Sequence, residues 1–424
     1  MLVNKFLIGE AAAAIESMMP LAHPADAVLR RFFRERAKLG QRDREFIAEV
    51  VYAWLRRKRS IEHVAETQDA RSVVLATLVK VLGCNVRQLE AFISPREIEW
   101  IEHIKAKTLD DASLGVRLDL PDWLCERLEA QSGKQGLAAF ASAMLRQAPL
   151  DLRVNAIKAE REAVLARFRE EGLSAMPTPW SPVGVRIQTN PALARHPLFL
   201  EGAVEVQDEG SQLLCMLVAP KRGEMVADFC AGAGGKTLAL GALMRSTGRL
   251  YAFDVSAKRL TRFAPRLKRS GLSNVQAQHI ETEKDAKLKR LAGKFDRVLV
   301  DAPCSGLGTL RRNPDLKWRQ TPQAIDQLRA KQLSILGAAS RLVKPGGRLV
   351  YATCSVLDDE NRRVVEAFLA EHQEFCLIPA SEVIGLQKIE LPPASGGFFE
   401  LSPQQHGTDG FFAAVLGRAV AVRT

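Results

Sequence analysis

Val226-Ala-Asp-Phe-Cys-Ala-Gly-Ala-Gly-Gly-Lys-Thr237 begins as an apolar run, closes in a glycine cluster and leads into an apolar helical stretch from Leu238 to Met244. Strand, tight glycine turn, helix is how an open parallel sheet presents a nucleotide-like ligand at its carboxyl edge. Gly232, Gly234 and Gly235 let the backbone approach such a ligand, because no Cβ stands in the way. The helix starting behind them offers unpaired N–H groups to a polar or anionic group.

Two nucleotide folds could own this turn. A phosphate-binding loop needs a further glycine upstream of its Gly-Lys-Thr, at the position that Cys230 occupies, so that reading fails. The other is the cofactor turn of an S-adenosylmethionine methyltransferase. It predicts an acidic residue at the end of the next strand, about 20 residues on, to bind a ribose hydroxyl. Arg249-Leu-Tyr-Ala-Phe-Asp254 supplies Asp254 at that spacing.

Outward from this turn the chain alternates strand and helix to its end, the pattern of a mostly parallel sheet. Arg249–Phe253 reads as the second strand, Asn274–Gln278 as the third, Phe295–Asp301 as the fourth, Arg348–Thr353 as the fifth and Phe411–Leu416 as the last. Asp228, Asp254, Asp301 and Cys354 fall at or near strand ends, where open sheets bind ligands. Residues 1–145 carry apolar residues at three-to-four spacing over Ala11–Met19, Ala25–Lys38, Asp43–Arg57 and Ser72–Leu82, which predicts an all-helical domain. Residues 146–220 mix strand and helix between prolines and read as a small α/β connecting domain. Residues 221–424 are the catalytic domain.

With 47% hydrophobic and 26% charged residues over 424 positions, the chain has the composition of a soluble globular protein. Its net charge of +11 favours a polyanionic partner. The excess gathers in Arg30, Arg31, Arg34, Arg36, Lys38, Arg42 and Arg44, and in Arg56-Arg-Lys-Arg59, which read as a phosphate-contacting face or as solvated helix surfaces. Seven cysteines form no C-x-x-C pair, so neither a zinc site nor a disulfide scaffold fits; reduced thiols in a cytoplasmic enzyme without metal are expected. Lys5 and Glu10 break the apolar start, and no apolar run reaches the roughly 20 residues of a membrane span. A monomer is expected.

Two cysteines sit at neighbouring strand ends: Cys304 in Asp301-Ala-Pro-Cys-Ser-Gly-Leu-Gly308 and Cys354 in Tyr351-Ala-Thr-Cys-Ser355. Either alone reads as a buried small hydrophobe, but their Pro, Gly, Thr and Ser neighbours argue for shaped polar loops. Cytosine gives a thiolate a specific use. Its carbon 5 is a poor nucleophile, and thiolate addition at carbon 6 makes the ring enamine-like, so that carbon 5 can attack a methyl sulfonium. An acid near ring nitrogen 3 stabilises the intermediate, and Asp301 is placed for that. A positive surround lowers a thiol's pKa, and Lys236, Arg311 and Lys317 are candidate cations. Leu310-Arg-Arg-Asn-Pro-Asp-Leu-Lys-Trp318 combines phosphate-binding charge with a stacking ring, so Arg311, Arg312 and Lys317 are candidate RNA contacts; the alternative is a loop whose indole is tucked into a core.

These motifs, with His406-Gly-Thr-Asp-Gly-Phe-Phe412, together resemble the RNA (cytosine-5) methyltransferases of the Nol1/Nop2/Sun group, over about Val206 to Phe412. The likeness is strongest to the branch acting on small-subunit ribosomal RNA. Gln41-Arg-Asp-Arg-Glu-Phe-Ile47 and Val51-Tyr-Ala-Trp-Leu-Arg56 resemble the NusB-like RNA-binding domain of those enzymes. The resemblance implies a Rossmann-like methyltransferase domain that takes S-adenosyl-L-methionine. It implies Cys354 as nucleophile, Cys304 as the residue assisting product release, and Asp301 against the base. It implies a cofactor lying on Cys230, Ala231, Gly232, Ala233, Gly234, Gly235 and Lys236, with Asp254 on the ribose and Asp301 close by. The third acidic contact falls on Glu281, with Asp285 as fallback. Ala233 stands where the family usually has proline, which implies a looser turn. A DNA cytosine methyltransferase, with Cys304 as nucleophile, and a non-catalytic RNA-binding assembly factor are the alternatives.

Overall fold

The computed structural model describes residues 3–188, 191–392 and 395–420. The chain divides into two compact units. One is Met1–Gln147 together with Thr309–Pro322, and the other is Ala148–Gly308 together with Gln323–Thr424.

The first unit is helical. Its helices include Lys5–Met18, Ala25–Glu35, Gln41–Arg56, Lys58–Ala65, Ala70–Lys80, Pro95–Ala106 and Asp122–Met144. The three-to-four spacing puts Ile8, Ile15, Ile47, Trp54, Val73, Val74 and Leu78 into one fully buried core. Each such side chain contributes about 1.5–3 kcal/mol. Polar residues set the helix starts: Asn4 accepts the Leu7 N–H at 2.8 Å, and Ser94 and Glu97 form a capping box ahead of Pro95. The basic clusters are partly neutralised by Arg30–Asp26, Arg31–Glu35, Arg36–Glu10, Lys58–Glu62 and Arg59–Asp122 pairs, while Arg34, Lys38 and Arg42 are exposed.

The second unit holds two sheets. The smaller is antiparallel, in the order β2-β3-β1-β4, with β1 Leu150–Val154, β2 Ala175–Pro177, β3 Gly184–Ile187 and β4 Val204–Val206. Val164, Leu165 and Phe168 of the helix Arg161–Glu170 cover it, against Leu152, Val154 and Val185. Strands β1 and β3 are legible in the sequence. Strands β2 and β4 are three residues each, too short for a period to register.

The larger sheet comprises β5 Met225–Asp228, β6 Arg249–Asp254, β7 Val275–His279, β8 Phe295–Asp301, β9 Val343–Thr353, β10 Phe375–Ile378, β11 Phe399–Leu401 and β12 Phe411–Arg418. Its order is β10-β12-β9-β8-β5-β6-β7, with β11 on β12. Strands β7, β6, β5, β8 and β9 are parallel; β12 runs against them, and β10, antiparallel to β12, runs in their direction again. Continuous apolar runs such as Val298-Leu-Val300 and Leu349-Val-Tyr-Ala352 suit strands covered on both faces, and all these residues are fully buried. The helix Glu209–Val218, buried along its whole length, packs on β1 of the small sheet and on β8, β9 and β12 of the large one. The chain order reverses between β5 and its neighbours β6 and β8, so the turns after these strands open on one crevice.

Candidate active site

The glycine turn leaves β5 at Asp228 and enters the helix Gly235–Leu243. Three backbone bonds shape it: Phe229 N–H to Leu299 O, Ala231 N–H to Phe253 O and Gly234 N–H to Ala231 O, at 2.8, 2.8 and 2.9 Å. Gly234 has φ +83°, and a Cβ there would stand 1.9 Å from the Phe263 ring, so only glycine fits. Gly232, with φ +57°, has nothing within 4 Å of where its Cβ would project, which leaves room for a ligand. The Ala233 carbonyl accepts Arg266 Nη1 at 2.6 Å.

Asp254, 3% exposed, closes the other side of the crevice. Its Oδ2 accepts the Gly232 N–H at 2.8 Å and its Oδ1 the Ser256 N–H at 2.7 Å. Each oxygen keeps a lone pair for a donor such as a hydroxyl. Asp228 accepts Thr237 Oγ1–H on Oδ2 at 2.7 Å, while its buried Oδ1 has no partner. Burial pushes the Asp228 carboxyl up to about 7; Thr237 opposes this, and the charge of Asp301 adds to it. Burial likewise pushes the Cys230 thiol well up.

Lys236, from the first turn of the helix, reaches across to Asp301 at the end of β8, Nζ to Oδ2 2.7 Å. Burial works against the ammonium, but the Asp301 carboxylate outweighs it and holds Lys236 above the usual lysine range. Asp301 therefore stands in the crevice paired with Lys236. Its side chain keeps 27% exposure.

β8 and β9 pair in parallel with Asp301 beside Ala352, and the loops behind them bring Cys304 Sγ and Cys354 Sγ to 3.3 Å. Contact with Cys354, then burial, then the charges of Cys354 and Glu360 push the Cys304 thiol well above the usual cysteine range. The backbones interlock. Gly308 N–H donates to Cys354 O and Gly410 N–H donates to Gly308 O, both at 2.8 Å. A Cβ on Gly308 would meet Gly410 O at 2.2 Å. Three motifs distant in sequence thus meet at one place.

Other expected residues stand outside the glycine turn and the cysteine pair. Glu281 follows β7 with its side chain 80% exposed, 3.6 Å from His279. Asp285 caps the Glu281 and Lys287 N–H groups at 3.0 and 2.9 Å, so its carboxylate is committed locally. Arg311 and Lys317 are 6% and 3% exposed and belong to the helical unit. Lys317 Nζ donates to Arg56 O at 2.8 Å, and Trp318 Nε1–H donates to Leu55 O at 2.7 Å. Burial, with Arg57 and Arg56 adding and Asp119 opposing, pushes Lys317 down to about 7. The expectation of a phosphate-binding, base-stacking loop thus meets a loop whose lysine and indole fasten it to helix Gln41–Arg56; Arg312 is half-buried. Sequence reading also missed Glu360, fully buried behind both cysteine loops, because the run Asp358-Asp-Glu360 reads as a solvated helix start. Among the described residues no group of His, Cys, Asp or Glu could hold a metal ion, and no helix is long and apolar enough to cross a membrane.

The chain matches the family model for 16S rRNA methyltransferase RsmB/F over residues 215–417, and that for the RsmF/B-like ferredoxin-like domain over residues 120–194. It is 31% identical over 411 residues to the probable ribosomal RNA small subunit methyltransferase B of Synechocystis sp., an alignment covering 89% of this chain and 92% of the relative. Among solved structures it is similar to PH0851, with a TM-score of 0.79 and 27% identity over 98% of this chain and 99% of the other. It is also similar to a methyltransferase homolog protein from Pyrococcus horikoshii, with a TM-score of 0.61 and 31% identity over 72% of this chain and 97% of the other.

Proposed function

The chain belongs to the RsmB/F family of 16S rRNA methyltransferases, and from that premise we propose that it methylates carbon 5 of a cytosine in small-subunit ribosomal RNA through a covalent cysteine adduct at carbon 6. The observation that carries this reading is the 3.3 Å contact of Cys304 and Cys354 beside the ion-paired Asp301. Methylation at a nucleophilic nitrogen or oxygen needs no thiol at all, whereas carbon 5 needs one to activate the ring.

S-adenosyl-L-methionine is the cofactor, and the residues present fit it: open space at Gly232, free lone pairs on Asp254 and an unpartnered oxygen on Asp228. Cys230 to Lys236 and Asp254 would hold it, with Glu281 as the outer acidic contact. Bound there, it supplies an electrophilic methyl group.

Cys354 is the nucleophile. Its thiolate forms the bond to carbon 6, and the electrons of the 5,6 double bond pass to carbon 5, which takes the methyl group. Lys236 supplies the positive charge nearest the thiolate; the Cys354 and Asp301 charges both act on its ammonium. Asp301, held by Lys236, accepts a hydrogen bond from the amino group of the base and fixes the ring against Cys354. A base then takes the carbon-5 proton, the electrons of that C–H bond re-form the 5,6 double bond, and the bond from Cys354 to carbon 6 breaks with its electrons on sulfur. Contact with Cys354, burial and the neighbouring Glu360 charge disfavour the Cys304 thiolate. Cys304 assists release, and a DNA-type mechanism on Cys304 is disfavoured. RNA contacts fall to Arg312 and to the exposed Arg34, Lys38 and Arg42 rather than to buried Lys317.

Incubating the protein with methyl-labelled cofactor and transcribed 16S rRNA tests the reading. Label is expected as 5-methylcytosine, absent in Cys354→Ala, with a covalent RNA adduct accumulating in Cys304→Ala. Methylation by Cys354→Ala, or label on another atom, overturns it.

A further inference from the structure

Glu360 sits between the end of β9 and the helix Arg362–Glu371, with 0% exposure. No lysine, arginine or histidine lies within ion-pair distance of it among the described residues. A buried carboxylate without a cation survives only if its oxygens are hydrogen-bonded. Four donors converge on it. Oε1 accepts the Ser305 N–H at 2.8 Å and Gln332 Nε2 at 3.0 Å. Oε2 accepts Ser305 Oγ at 2.5 Å and Ser355 Oγ. The two serine hydroxyls also touch each other, at 3.1 Å.

Ser305 and Ser355 are the residues immediately after Cys304 and Cys354. The same carboxylate therefore grips both cysteine loops one residue past each thiol. The grip is reinforced from both sides. Gln332 Nε2 also donates to Pro303 O at 3.0 Å, and Tyr351 Oη donates to the Glu360 carbonyl at 2.6 Å. Asn361 Nδ2 donates to Ser355 O at 3.1 Å, and its Oδ1 accepts Thr353 Oγ1 at 2.5 Å. Among the described residues, no hydrogen bond links the Glu360 carboxylate to either thiol, to the glycine turn or to Asp254.

We propose that Glu360 is a positioning residue that sets the spacing of the two thiols by holding the serine that follows each. As a mechanism this rests on the two-cysteine reading above; as a statement about spacing it does not. Glutamine at 360 presents donor hydrogens where the site already has four donors, so one loop must shift. Alanine removes every acceptor.

The activity-free test is disulfide closure. Diamide takes two electrons and two protons from the thiol pair as the S–S bond forms, and the bond length of about 2.05 Å lies a short move from 3.3 Å. Thiol counting and intact mass should find closure at least about 10-fold slower in Glu360→Gln and Glu360→Ala than in the parent. In the methylation assay both variants should lose about 100-fold in kcat, the order of effect that a misplacement of about 1 Å produces. KM for RNA and affinity for the cofactor should stay within about twofold. Because Glu360 acts through the serines, a Glu360→Ala/Ser305→Ala/Ser355→Ala triple should be no slower than Glu360→Ala, within about threefold, where independent roles would multiply. The proposal is overturned by closure at the parental rate, by cofactor affinity collapsing together with kcat in both variants, or by additive losses in the triple. If the parent closes the disulfide but transfers no methyl to RNA, the functional reading fails and closure alone decides the role of Glu360.

Discussion

Asp228→Asn should change how the catalytic unit responds to pH, in a direction opposite to the usual acid-stabilising habit of carboxylates. Asp228 is 1% exposed, accepts one hydrogen bond from Thr237 and leaves Oδ1 without a partner. Burial holds its carboxyl up at about 7 in the folded protein, against about 3.9 in an unfolded chain. Below about pH 4 the group is protonated in both states, and its full stabilising share is present. From about pH 4 to about 7 the unfolded chain gives up the proton while the folded one keeps it, so stability falls as pH rises. Above about 7 the loss is complete. Three units at about 1.36 kcal/mol each amount to about 4 kcal/mol withheld from the cofactor-free protein at neutral pH. Asparagine keeps an oxygen for Thr237 and carries no charge at any pH, so it escapes that loss. Melting curves of parent and variant from pH 4.5 to 8 single out this group together with the Asp301, Lys236 and Asp254 charges coupled to it, since titrations remote from it cancel in the difference. About 3 kcal/mol of this falls between pH 4.5 and 8, because the unfolded carboxyl is already mostly ionised at 4.5; at roughly 2 °C per kcal/mol for a unit of this size, the variant should gain roughly 6 °C on the parent across that range. Curves that stay parallel would refute the assignment of a neutral, orphaned carboxyl to this position.

Gly234→Ala should destabilise the catalytic unit by about 2–5 kcal/mol, from a left-handed φ and from the Cβ driven against Phe263, read by denaturation with the cofactor absent. Lys236→Met leaves Asp301 unpaired at the base edge and should lower kcat/KM at least about 100-fold in the methylation assay; a loss below about 10-fold would show that the pair only fills space. Lys317→Met bears on the loop after Gly308. Lys317 is held down to about 7, so the parent's helical unit should weaken as pH falls from about 10 to 7, and the variant should lack that slope in melting curves. Its RNA affinity should stay within about threefold and its salt dependence unchanged, since a buried lysine bonded to Arg56 O neutralises no phosphate.

The parts of this protein that were legible in its sequence are those where one residue's neighbours in the chain are also its neighbours in space. The turn from Val226 to Thr237 carries its strand, its glycines and its helix in one stretch, and Asp254 follows at a spacing set by a single helix and strand. Strands β5, β6, β8 and β9 announce themselves because both of their faces are covered and their residues run apolar without a break. The pairing of Cys304 with Cys354 is suggested by their places at strand ends and by the motifs of the family they resemble; the parallel register of β8 on β9 is what turns two strand ends into a contact.

Legibility fails where a side chain's role is decided by an element far away in the chain. Arg311, Lys317 and Trp318 have the composition of an RNA-binding loop, and charge beside an indole is what such a loop requires. The same composition also serves a loop whose partners are the carbonyls of Leu55 and Arg56, and nothing in nine consecutive residues distinguishes the two. Glu360 is the sharper case. Asp358, Asp359 and Glu360 look alike in sequence, three acids ahead of a helix, and the dipole rule explains all three as solvated N-terminal charge. Arg363 does pair with Asp359 on the surface. Glu360 instead turns inward, where among the described residues its carboxylate meets two serines and a glutamine and no cation. A carboxylate buried under those terms is costly, and a fold has little reason to keep one in its core unless the geometry of the groups bound to it matters more than the cost.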